Sequence, residues 1–287
     1  MKVLVTGATG FVGRHVIPLL LARGHQVFAV SRDAQRACAF AWFPGVTHIA
    51  CDLHRADSHD LLASGVPDAM LHLAWQGLPN YKAPFHIEDN LPADIRLLGS
   101  LVRNGVPHVL ATGTCFEYGM RNGQLAEDLP ADPSNPYGIA KDTVRRYLVE
   151  LCREHPFALQ WARLFYMHGI GQNPNSLLAQ LDRAIDANAA EFDMSAGDQL
   201  RDYLPVTDVA AALVGLLERP SQQGLFNVCS GQPVSVRSLV EKHLATRASQ
   251  IRLNLRRFPY PGHEPMAFWG DARRLHAALQ QPATHCR

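Results

Sequence analysis

The chain has 287 residues, enough for two modest domains or for one large domain with an annex. Its 27 Lys and Arg residues nearly balance 26 Asp and Glu residues, and the net charge of +1 gives no electrostatic case for nucleic acid or an anionic membrane as a partner. A hydrophobic fraction of 47% in a chain of this length can fill a large core, which excludes a largely disordered protein.

Cysteine usage and the first residues bear on where the protein works. Six cysteines are scattered without a Cys-x-x-Cys pair, as expected for reduced thiols rather than for a disulfide framework. The sequence opens with a strand-like run instead of the charged and apolar regions of a signal peptide. Its longest apolar helical stretch, residues 16–22, is too short to cross a bilayer. We therefore expect a cytoplasmic protein that does not enter a membrane.

The first thirty residues predict a strand–helix–strand unit. Residues 2–6 are rich in β-branched side chains and suit a buried parallel strand. Residues 14–23 have the periodicity of an amphipathic helix, and residues 26–30 form a second apolar strand.

The turn between that first strand and the helix carries glycines at intervals of three. Gly7 allows a sharp turn, Gly10 lets the backbone approach a pyrophosphate, and Gly13 lets the helix pack closely on the strand. The helix then offers free N–H groups and the positive end of its dipole to the phosphates. This context predicts dinucleotide binding by the residues of the turn, namely Gly7, Thr9, Gly10, Phe11, Val12 and Gly13.

The end of the second strand indicates which dinucleotide binds. An NAD site usually has Asp or Glu there to bind the ribose 2′-hydroxyl, whereas this chain has Ser31 followed by Arg32. Arg32 can pair with a 2′-phosphate, and Asp33 comes one residue too late. The pattern favours NADP(H), with NAD(H) as the alternative.

Strands and helices continue to alternate through residue 165. Further strands are predicted at residues 46–50, 69–73, 108–112 and 157–164, and helices at residues 87–103, 137–154, 176–187 and 208–217. This order predicts the α/β class, as a Rossmann-type doubly wound parallel sheet with a smaller C-terminal substrate-binding part. The predicted boundary separates an NAD(P)-binding domain, residues 1–165, from a looser part, residues 166–287.

Tyr137 and Lys141 lie four residues apart at the start of a predicted helix, so their side chains share one face. A phenol with a pKa of about 10 is a poor acid–base group at neutral pH. The neighbouring ammonium is expected to lower the pKa of Tyr137 and to suit it for proton transfer to a carbonyl oxygen. Thr114, upstream after a strand, can hold the same oxygen. Thr114, Tyr137 and Lys141 are therefore the predicted catalytic residues.

Two smaller groups of side chains were weighed as further sites. Trp75 and Tyr81 follow the fourth strand at the edge where ligands bind in such sheets, so they are predicted to line a substrate pocket, with loop packing as the alternative. Cys51, His54 and His59 form the best local metal cluster, but it has no fourth ligand. We predict no metal site.

Taken together, these motifs resemble the extended short-chain dehydrogenases/reductases of the nucleotide-sugar epimerase/dehydratase family. The resemblance also extends over segments that the residue chemistry alone does not explain, namely residues 72–74, Asn90, residues 163–169, 201–208, 226–228 and 271–275. It implies that Tyr137 is the acid–base group, that Lys141 binds the nicotinamide ribose and tunes Tyr137, and that Thr114 bonds the reacting C4 oxygen.

The resemblance also implies further contacts. Those to the cofactor come from Asp52, Leu53, Leu73, Ala74, Asn90 and Thr112. Those to a nucleotide sugar come from Tyr166, Arg201 and Asp202, beside Trp75, Tyr81 and Thr114, and Arg201 is expected to contact the diphosphate. A homodimer is implied through the helices at residues 87–103 and 137–154, which are more apolar than one buried stripe requires.

Departures from the family pattern narrow the chemistry. Sugar-nucleotide 4,6-dehydratases carry Asp-Glu directly after the catalytic threonine, where this chain has Cys115 and Phe116. A thiol and a phenyl ring cannot perform that elimination, so a dehydratase is disfavoured. The sequence predicts an NADPH-dependent reductase of a nucleotide-linked 4-keto-6-deoxy sugar, with hydride transfer to C4 and Tyr137 as proton donor. The alternatives are an NAD-dependent nucleotide-sugar 4-epimerase and a non-catalytic NADP-binding regulator.

Overall fold

The computed structural model describes residues 1–55, 58–260, 262 and 264–283. The strands are β1 (Lys2–Thr6), β2 (Gln26–Ser31), β3 (Thr47–Ala50), β4 (Ala69–His72), β5 (His108–Thr114), β6 (Gly123–Leu125), β7 (Ala158–Leu164), β8 (Tyr166–His168), β9 (Glu191–Asp193), β10 (Leu200–Arg201), β11 (Tyr203–Pro205), β12 (Gly224–Val228), β13 (Val234–Ser235), β14 (Arg252–Asn254) and β15 (Phe268–Gly270). The α-helices are α1 (Gly13–Ala22), α2 (Ala34–Cys38), α3 (Ser58–Leu62), α4 (Leu91–Arg103), α5 (Pro136–Glu154), α6 (Leu177–Asp186), α7 (Val206–Leu217), α8 (Val236–Thr246) and α9 (Arg273–Gln280).

Seven strands form one parallel sheet in the order β12-β7-β5-β4-β1-β2-β3. The strand order reverses between β1 and β4, and in such sheets ligands bind at the carboxyl ends of the strands beside this point. The predicted Rossmann-type α/β fold is confirmed.

Both faces of the sheet are covered by helices, as a parallel sheet requires. Successive residues of β1 point to opposite faces: Val3 and Val5 pack in one cluster with α1 and α7, whereas Leu4 packs in another with α4 and α5. The β-branched run of β1 is thus buried on both sides, which fixes the strand in the centre of the sheet.

Helix α5 begins with strong local signals. The Oδ1 atom of Asn135 accepts a hydrogen bond of 2.9 Å from the N–H of Gly138, and Pro136 occupies the first turn, where its missing N–H costs nothing. Tyr137 and Lys141 therefore lie in the best-anchored part of the helix.

Residues after 165 contribute to both parts of the molecule. Strand β12 forms an edge of the main sheet beside β7, and α7 packs against α1. By contrast, α6, α8, β9 and β14 surround a separate apolar cluster that includes Leu178, Phe192 and Val240. The predicted boundary at residue 165 thus falls between β7 and β12, two paired strands of one sheet. Strand β12 and helix α7 return to the sheet after the chain has begun to form the annex, the part after residue 165 that contains α6, α8, β9 and β14.

The apolar residues on which the homodimer was argued are buried inside the monomer. Leu97, Leu98 and Leu101 of α4 pack with Val144 and Leu148 of α5 over the sheet. These apolar side chains are therefore covered within the same chain, and the homodimer stays a prediction of the family resemblance alone.

Other expectations concern the chain as a whole. No helix among the described residues is both long and apolar enough to cross a bilayer. Five cysteines are free thiols, and Cys286 lies outside the described residues. Within the part of the chain that the structure describes, no three His, Cys, Asp or Glu side chains gather as a metal site requires.

Candidate functional site

The glycine turn packs tightly against the end of β4. Gly7 has a φ of +69°, and a Cβ built on it would lie 2.9 Å from the backbone nitrogen of Ala74. A Cβ on Gly13 would lie 2.3 Å from the carbonyl oxygen of Gly7. The hydroxyl of Thr6 accepts the N–H groups of Leu73 and Ala74 at 3.2 and 3.3 Å, which ties the two loops together. Any larger residue at Gly7 or Gly13 would force this edge apart.

A crevice opens at the carboxyl ends of β1, β2 and β4. The predicted dinucleotide residues that line it are Gly7, Thr9, Gly10, Ser31, Arg32, Leu53, Ala74 and Asn90. Side chains that the sequence analysis did not assign to the cofactor also line it, among them Arg36, His54, Trp75, Gln76 and Asp94. The predicted contacts outside this lining are Phe11, Val12, Gly13, Asp52, Leu73, Thr112, Tyr137 and Lys141.

One end of the crevice is basic. Arg32 and Arg36 both line it, and Arg32 donates a hydrogen bond of 3.1 Å to the side chain of Gln76. The hydroxyl of Ser31 lies 2.8 Å from Nε2 of His48. Asp33 caps α2 by accepting the N–H of Arg36 at 3.0 Å, so its carboxylate is used in the helix cap.

A buried polar cluster lies farther along the crevice. The Nδ1 atom of His86 accepts the indole N–H of Trp75 at 3.0 Å, and its Nε2 donates to the carbonyl oxygen of Asn80 at 3.0 Å. Asn90 donates to the carbonyl oxygen of Gln76 at 3.0 Å, while its own Oδ1 is buried without a hydrogen-bond partner among the described residues. An unpaired buried acceptor is costly, so this oxygen fits a ligand that brings a donor such as a ribose hydroxyl.

The three predicted catalytic residues converge beside this cluster. Thr114 ends β5, and Tyr137 and Lys141 lie on the first two turns of α5; their exposed fractions are 4%, 7% and 2%. The hydroxyl of Thr114 acts on the pKa of the Tyr137 phenol. The Nζ atom of Lys141 lies 4.0 Å from the centre of the Trp75 ring, a cation–π contact. Trp75, predicted to line the substrate pocket, lines the crevice beside the glycine turn, because β4 ends next to that turn.

The electrostatics of Tyr137 differ from the expectation. Burial is the largest cause that raises the pKa of its phenol, and the hydroxyl of Thr114 opposes it. The expected lowering by Lys141 is not found, because the aromatic rings around Tyr137 desolvate a phenolate. Tyr137 is therefore protonated at neutral pH, the form that a proton donor needs.

Lys141 occupies a desolvated position between two carboxylates. Burial lowers its pKa to about 8, and the negative charges of Asp94 and Glu117 oppose that shift. Asp94 is in turn held by Nε2 of His72 at 3.0 Å. The charges of these two acids thus favour the protonated form of Lys141, which burial disfavours.

Aromatic side chains close the other side of Tyr137. The ring of Tyr81 lies 5.6 Å from that of Tyr137 and 4.8 Å from that of Phe116, measured between ring centres. Burial raises the pKa of Tyr81 to about 12 and that of Cys115 to about 12, so both stay protonated. Neither is suited to exchange protons at neutral pH.

Arg201 lies in the interior of the annex and not at a solvent-facing anion site. Its side chain is almost fully buried, and its guanidinium donates to the carboxylate of Glu264 at 2.9 Å. It also lies 4.6 Å from the centre of the Phe268 ring. The nearby hydroxyl of Tyr166 is buried and has no hydrogen-bond partner in the described part of the chain. To bind this guanidinium, a diphosphate must displace the carboxylate of Glu264.

Asp202 has a structural role in this geometry. One carboxylate oxygen accepts the N–H and the hydroxyl of Ser230, both at 2.7 Å, and the other accepts the N–H groups of Gly231 and Gly270 at 2.9 and 3.3 Å. Because protein donors already occupy both oxygens, Asp202 is better placed to join the loops of the annex than to bind a substrate.

Comparison with known proteins identifies the family. The model of the NAD dependent epimerase/dehydratase family matches residues 3–229. The chain belongs to this family. Among curated relatives, a dTDP-6-deoxy-L-talose 4-dehydrogenase (NAD(+)) of Aggregatibacter actinomycetemcomitans is 30% identical over 94% of this chain and 99% of its own length. A GDP-6-deoxy-D-mannose reductase of Pseudomonas aeruginosa is 29% identical over 88% of this chain and 82% of its own length. A UDP-glucose 4-epimerase of Halalkalibacterium halodurans is 26% identical over 84% of this chain and 79% of its own length.

Solved structures of similar proteins agree with this assignment. MoeE5 in complex with UDP-glucuronic acid and NAD superposes with a TM-score of 0.82 at 25% identity, covering 99% of this chain and 94% of the other. As a member of the epimerase/dehydratase family, with dehydrogenases, reductases and epimerases among its relatives, the protein is an enzyme of nicotinamide dinucleotide chemistry. The predicted family and enzyme class are confirmed.

Some residues of the site in this epimerase/dehydratase family member were missed from the sequence. Arg36 lies one helical turn after Arg32, and that spacing is a usable signal for a second cation at the same ligand. Glu117 was overlooked although it is an acid between apolar and aromatic residues, a pattern typical of a buried carboxylate. No sequence signal points to Glu264, which reaches Arg201 across 63 residues of chain.

Proposed function

We propose that this family member is an NADPH-dependent reductase of a nucleotide-linked 4-keto-6-deoxy sugar. The observation that carries the proposal is the composition of the surroundings of Tyr137. Among the described residues, Cys115 and Phe116 follow Thr114, and neither supplies the acid–base pair that an elimination requires. The site is therefore suited to adding a proton to an oxygen, and not to removing water from the sugar.

The roles of the residues follow from their protonation states. A bound nicotinamide dinucleotide would supply the hydride. Tyr137, which burial keeps protonated, donates the proton to the carbonyl oxygen, and the hydroxyl of Thr114 holds that oxygen in place. Lys141, charged below a pH of about 8, places a positive charge beside the developing oxyanion.

The basic end of the crevice supports NADP(H) as the cofactor. Arg32 and Arg36 offer charge-assisted hydrogen bonds to a 2′-phosphate, and Ser31 stands where an NAD site usually has an acid. The relative from Aggregatibacter actinomycetemcomitans is named for NAD(+). Binding titrations of Arg32→Ala with NADPH and NADH therefore test this preference.

The substrate class is supported by two relatives. Their names give a 4-dehydrogenase of a dTDP-linked 6-deoxy sugar and a reductase of a GDP-linked 6-deoxy sugar. Tyr81, Tyr166 and Arg201 are the proposed substrate contacts of this chain, and Asp202 is left out because protein donors occupy its carboxylate. A cytoplasmic location and a homodimer complete the proposal.

The test is product analysis by mass spectrometry and NMR with a panel of 4-keto nucleotide sugars. We expect NADPH-dependent formation of a C4 alcohol, with NADPH consumed in equal amount. Interconversion of C4 epimers without added NADPH would replace the proposal with a 4-epimerase. Tight NADPH binding without turnover of any sugar would replace it with a non-catalytic regulator.

A further inference from the structure

Glu117 is a fully buried carboxylate next to the catalytic threonine. It lies in the short 3₁₀ turn Cys115–Tyr118 that follows β5, and its exposed fraction is 0%. Its Oε2 accepts the Nε–H of Arg163 at 2.7 Å, and Trp161 donates its indole N–H to the same carboxylate at 3.1 and 3.2 Å. Because both oxygens of this buried carboxylate accept hydrogen bonds, the carboxylate is held in one position.

The same carboxylate fixes Thr114 through a capping box. The Oε1 atom of Glu117 accepts the backbone N–H of Thr114 at 2.9 Å, and the hydroxyl of Thr114 accepts the N–H of Phe116 at 3.3 Å. Because a hydroxyl that accepts here keeps its hydrogen for another partner, the O–H of Thr114 is left to donate to the reacting oxygen.

Space for this arrangement comes from Gly113. A Cβ built at that position would lie 2.2 Å from Oε1 of Glu117 and 2.2 Å from Nε1 of Trp161. Any side chain at Gly113 would therefore push the carboxylate away from Thr114. The glycine, the acid and the indole form one packed unit behind the reacting face of β5.

We propose that Glu117 is a positioning residue for the proton transfer, which acts by fixing the backbone and the hydroxyl of Thr114 beside Tyr137. The inference rests on the proposed function only in the identity of the reaction. The hydrogen bond that links Glu117 to Thr114 stands on the geometry alone.

The charge of Glu117 adds a second effect on the same site. Asp94 from α4 and Glu117 from the turn after β5 act on the charge of Lys141, whose Nζ atom lies 4.0 Å from the centre of the Trp75 ring. Burial is the largest cause that lowers the pKa of His86, and the charge of Lys141 lowers it further. The carboxylate of Glu117 itself faces Arg163 at 2.7 Å and Arg145 at 3.9 Å. The charges of Asp94 and Glu117 raise the pKa of Lys141 against burial. Removal of the Glu117 charge is therefore expected to make Lys141 lose its proton at lower pH.

Two substitutions separate position from charge. Glu117→Gln keeps an oxygen that can accept the N–H of Thr114 but loses the charge, whereas Glu117→Asp keeps the charge but is one methylene too short to reach both Thr114 and Arg163. Glu127→Gln is the matched control, because Glu127 also accepts a backbone N–H, that of Asn227 at 2.9 Å, away from Thr114.

We expect Glu117→Asp to lower kcat by roughly tenfold to a hundredfold, since a misplacement of about 1 Å can cost about 10²-fold. Glu117→Gln, which can still accept the N–H of Thr114, should keep more of the wild-type kcat than Glu117→Asp. The Kd for NADPH should stay within about twofold of the wild-type value in both variants, as should the whole kinetic behaviour of Glu127→Gln. A folded Glu117→Asp variant that keeps the wild-type kcat would overturn the proposal. If Glu117→Asp does not fold, the kcat of Gly113→Ala, which displaces the same carboxylate, decides in the same way.

A titration of Lys141 tests the site without a substrate. The chain has only four lysines, Lys2, Lys82, Lys141 and Lys242, and the other three are exposed, so lysine side-chain NMR resolves Lys141. We expect titration near pH 8 in the wild type, Glu117→Asp and Glu127→Gln, and at a pH lower by about half a unit or more in Glu117→Gln. An unmoved Lys141 in Glu117→Gln would overturn the electrostatic effect. Because this readout needs no turnover, failure of the proposed reaction leaves it interpretable.

Discussion

Tyr137 is buried among aromatic rings. Its ring packs against Tyr81 and Trp75, with ring centres 5.6 and 5.8 Å away. Desolvation by these rings disfavours the phenolate. The side chain is therefore held as a neutral donor at the place where the carbonyl oxygen is expected.

Tyr137→Phe removes the donor and leaves the ring. We expect turnover to fall by roughly 10²–10⁴-fold, the usual contribution of a positioned acid–base group, with NADPH affinity nearly unchanged. Steady-state kinetics and a binding titration measure the two effects. Tyr147→Phe on the same helix is the control, because the hydroxyl of Tyr147 packs against Gly99 of α4, and it should keep the wild-type rate. A Tyr137→Phe enzyme with more than a third of the wild-type rate would remove Tyr137 from the mechanism.

Arg32 tests which cofactor binds at the basic end of the crevice. Arg32→Ala should weaken NADPH by about tenfold or more, the loss of a charge-assisted hydrogen bond, and should weaken NADH much less. Fluorescence titrations with both cofactors measure the change. Arg23→Ala, which removes a surface arginine paired with Glu218, should change neither affinity. Equal losses for both cofactors, or tighter NADH binding by the wild type, would contradict NADP(H) as the preferred cofactor.

Helix α5 brings the acid–base residues to the sheet. Its first turn is fixed by Asn135 and Pro136, so a change of the cap should alter both the stability of the helix and the placement of Tyr137. Helices α4 and α5 pack over the same face of the sheet, which places Asp94 of α4 near Lys141 of α5.

Asn135→Ala removes the cap of α5. We expect a loss of about 1 kcal/mol in the free energy of unfolding, the usual value of an N-cap, together with a several-fold fall in kcat because Tyr137 is two residues away. Urea unfolding and kinetics measure the two effects. Ser235→Ala removes the corresponding cap of α8, where Ser235 accepts the N–H of Ser238, and should lower stability without lowering kcat. If both variants affect kcat equally, the placement of Tyr137 does not depend on its cap.

Prediction succeeded for elements whose signals are local. Strand β1 matches its predicted range, and β2 is one residue longer than predicted. Runs of β-branched residues between turn residues specify buried strands directly. The predicted helix at residues 87–103 is instead one turn of π-helix, His86–Asn90, followed by α4, which begins at Leu91 with Pro92 in its first turn. Five residues of π-helix are too few to show a repeat of their own, so the sequence pattern could not separate them from the α-helix. Strand β12 was not predicted, because it is specified by its pairing with β7, about sixty residues earlier.

At the scale of the whole molecule, the crevice lies where the strand order of the seven-stranded sheet reverses. The glycine turn after β1 and the loops after β2 and β4 meet there because these three strands are neighbours in the sheet. Tyr166 and Arg201 lie outside the lining of this crevice, with the guanidinium 5.9 Å from the centre of the Tyr166 ring. The returning strand β12 joins the annex to the sheet.

A homodimer is the remaining prediction for the assembled molecule. Light scattering at micromolar concentration should give twice the chain mass of 31.7 kDa. The apolar residues of α4 and α5 are already buried in the monomer, so the contact would involve their exposed faces, which include Val149. A mass of one chain would contradict the dimer.

The sequence by itself determined the fold class, the glycine turn and the set of Thr114, Tyr137 and Lys141. These depend on short-range rules: the period of apolar residues, the backbone freedom of glycine and the four-residue spacing on a helix. Only the tertiary structure decided the protonation of Tyr137, the place of Trp75 beside Lys141, and the pairing of Glu117 with Arg163 and of Arg201 with Glu264. Burial and long-range contacts set these properties, and both arise from which strands become neighbours, which no local pattern encodes.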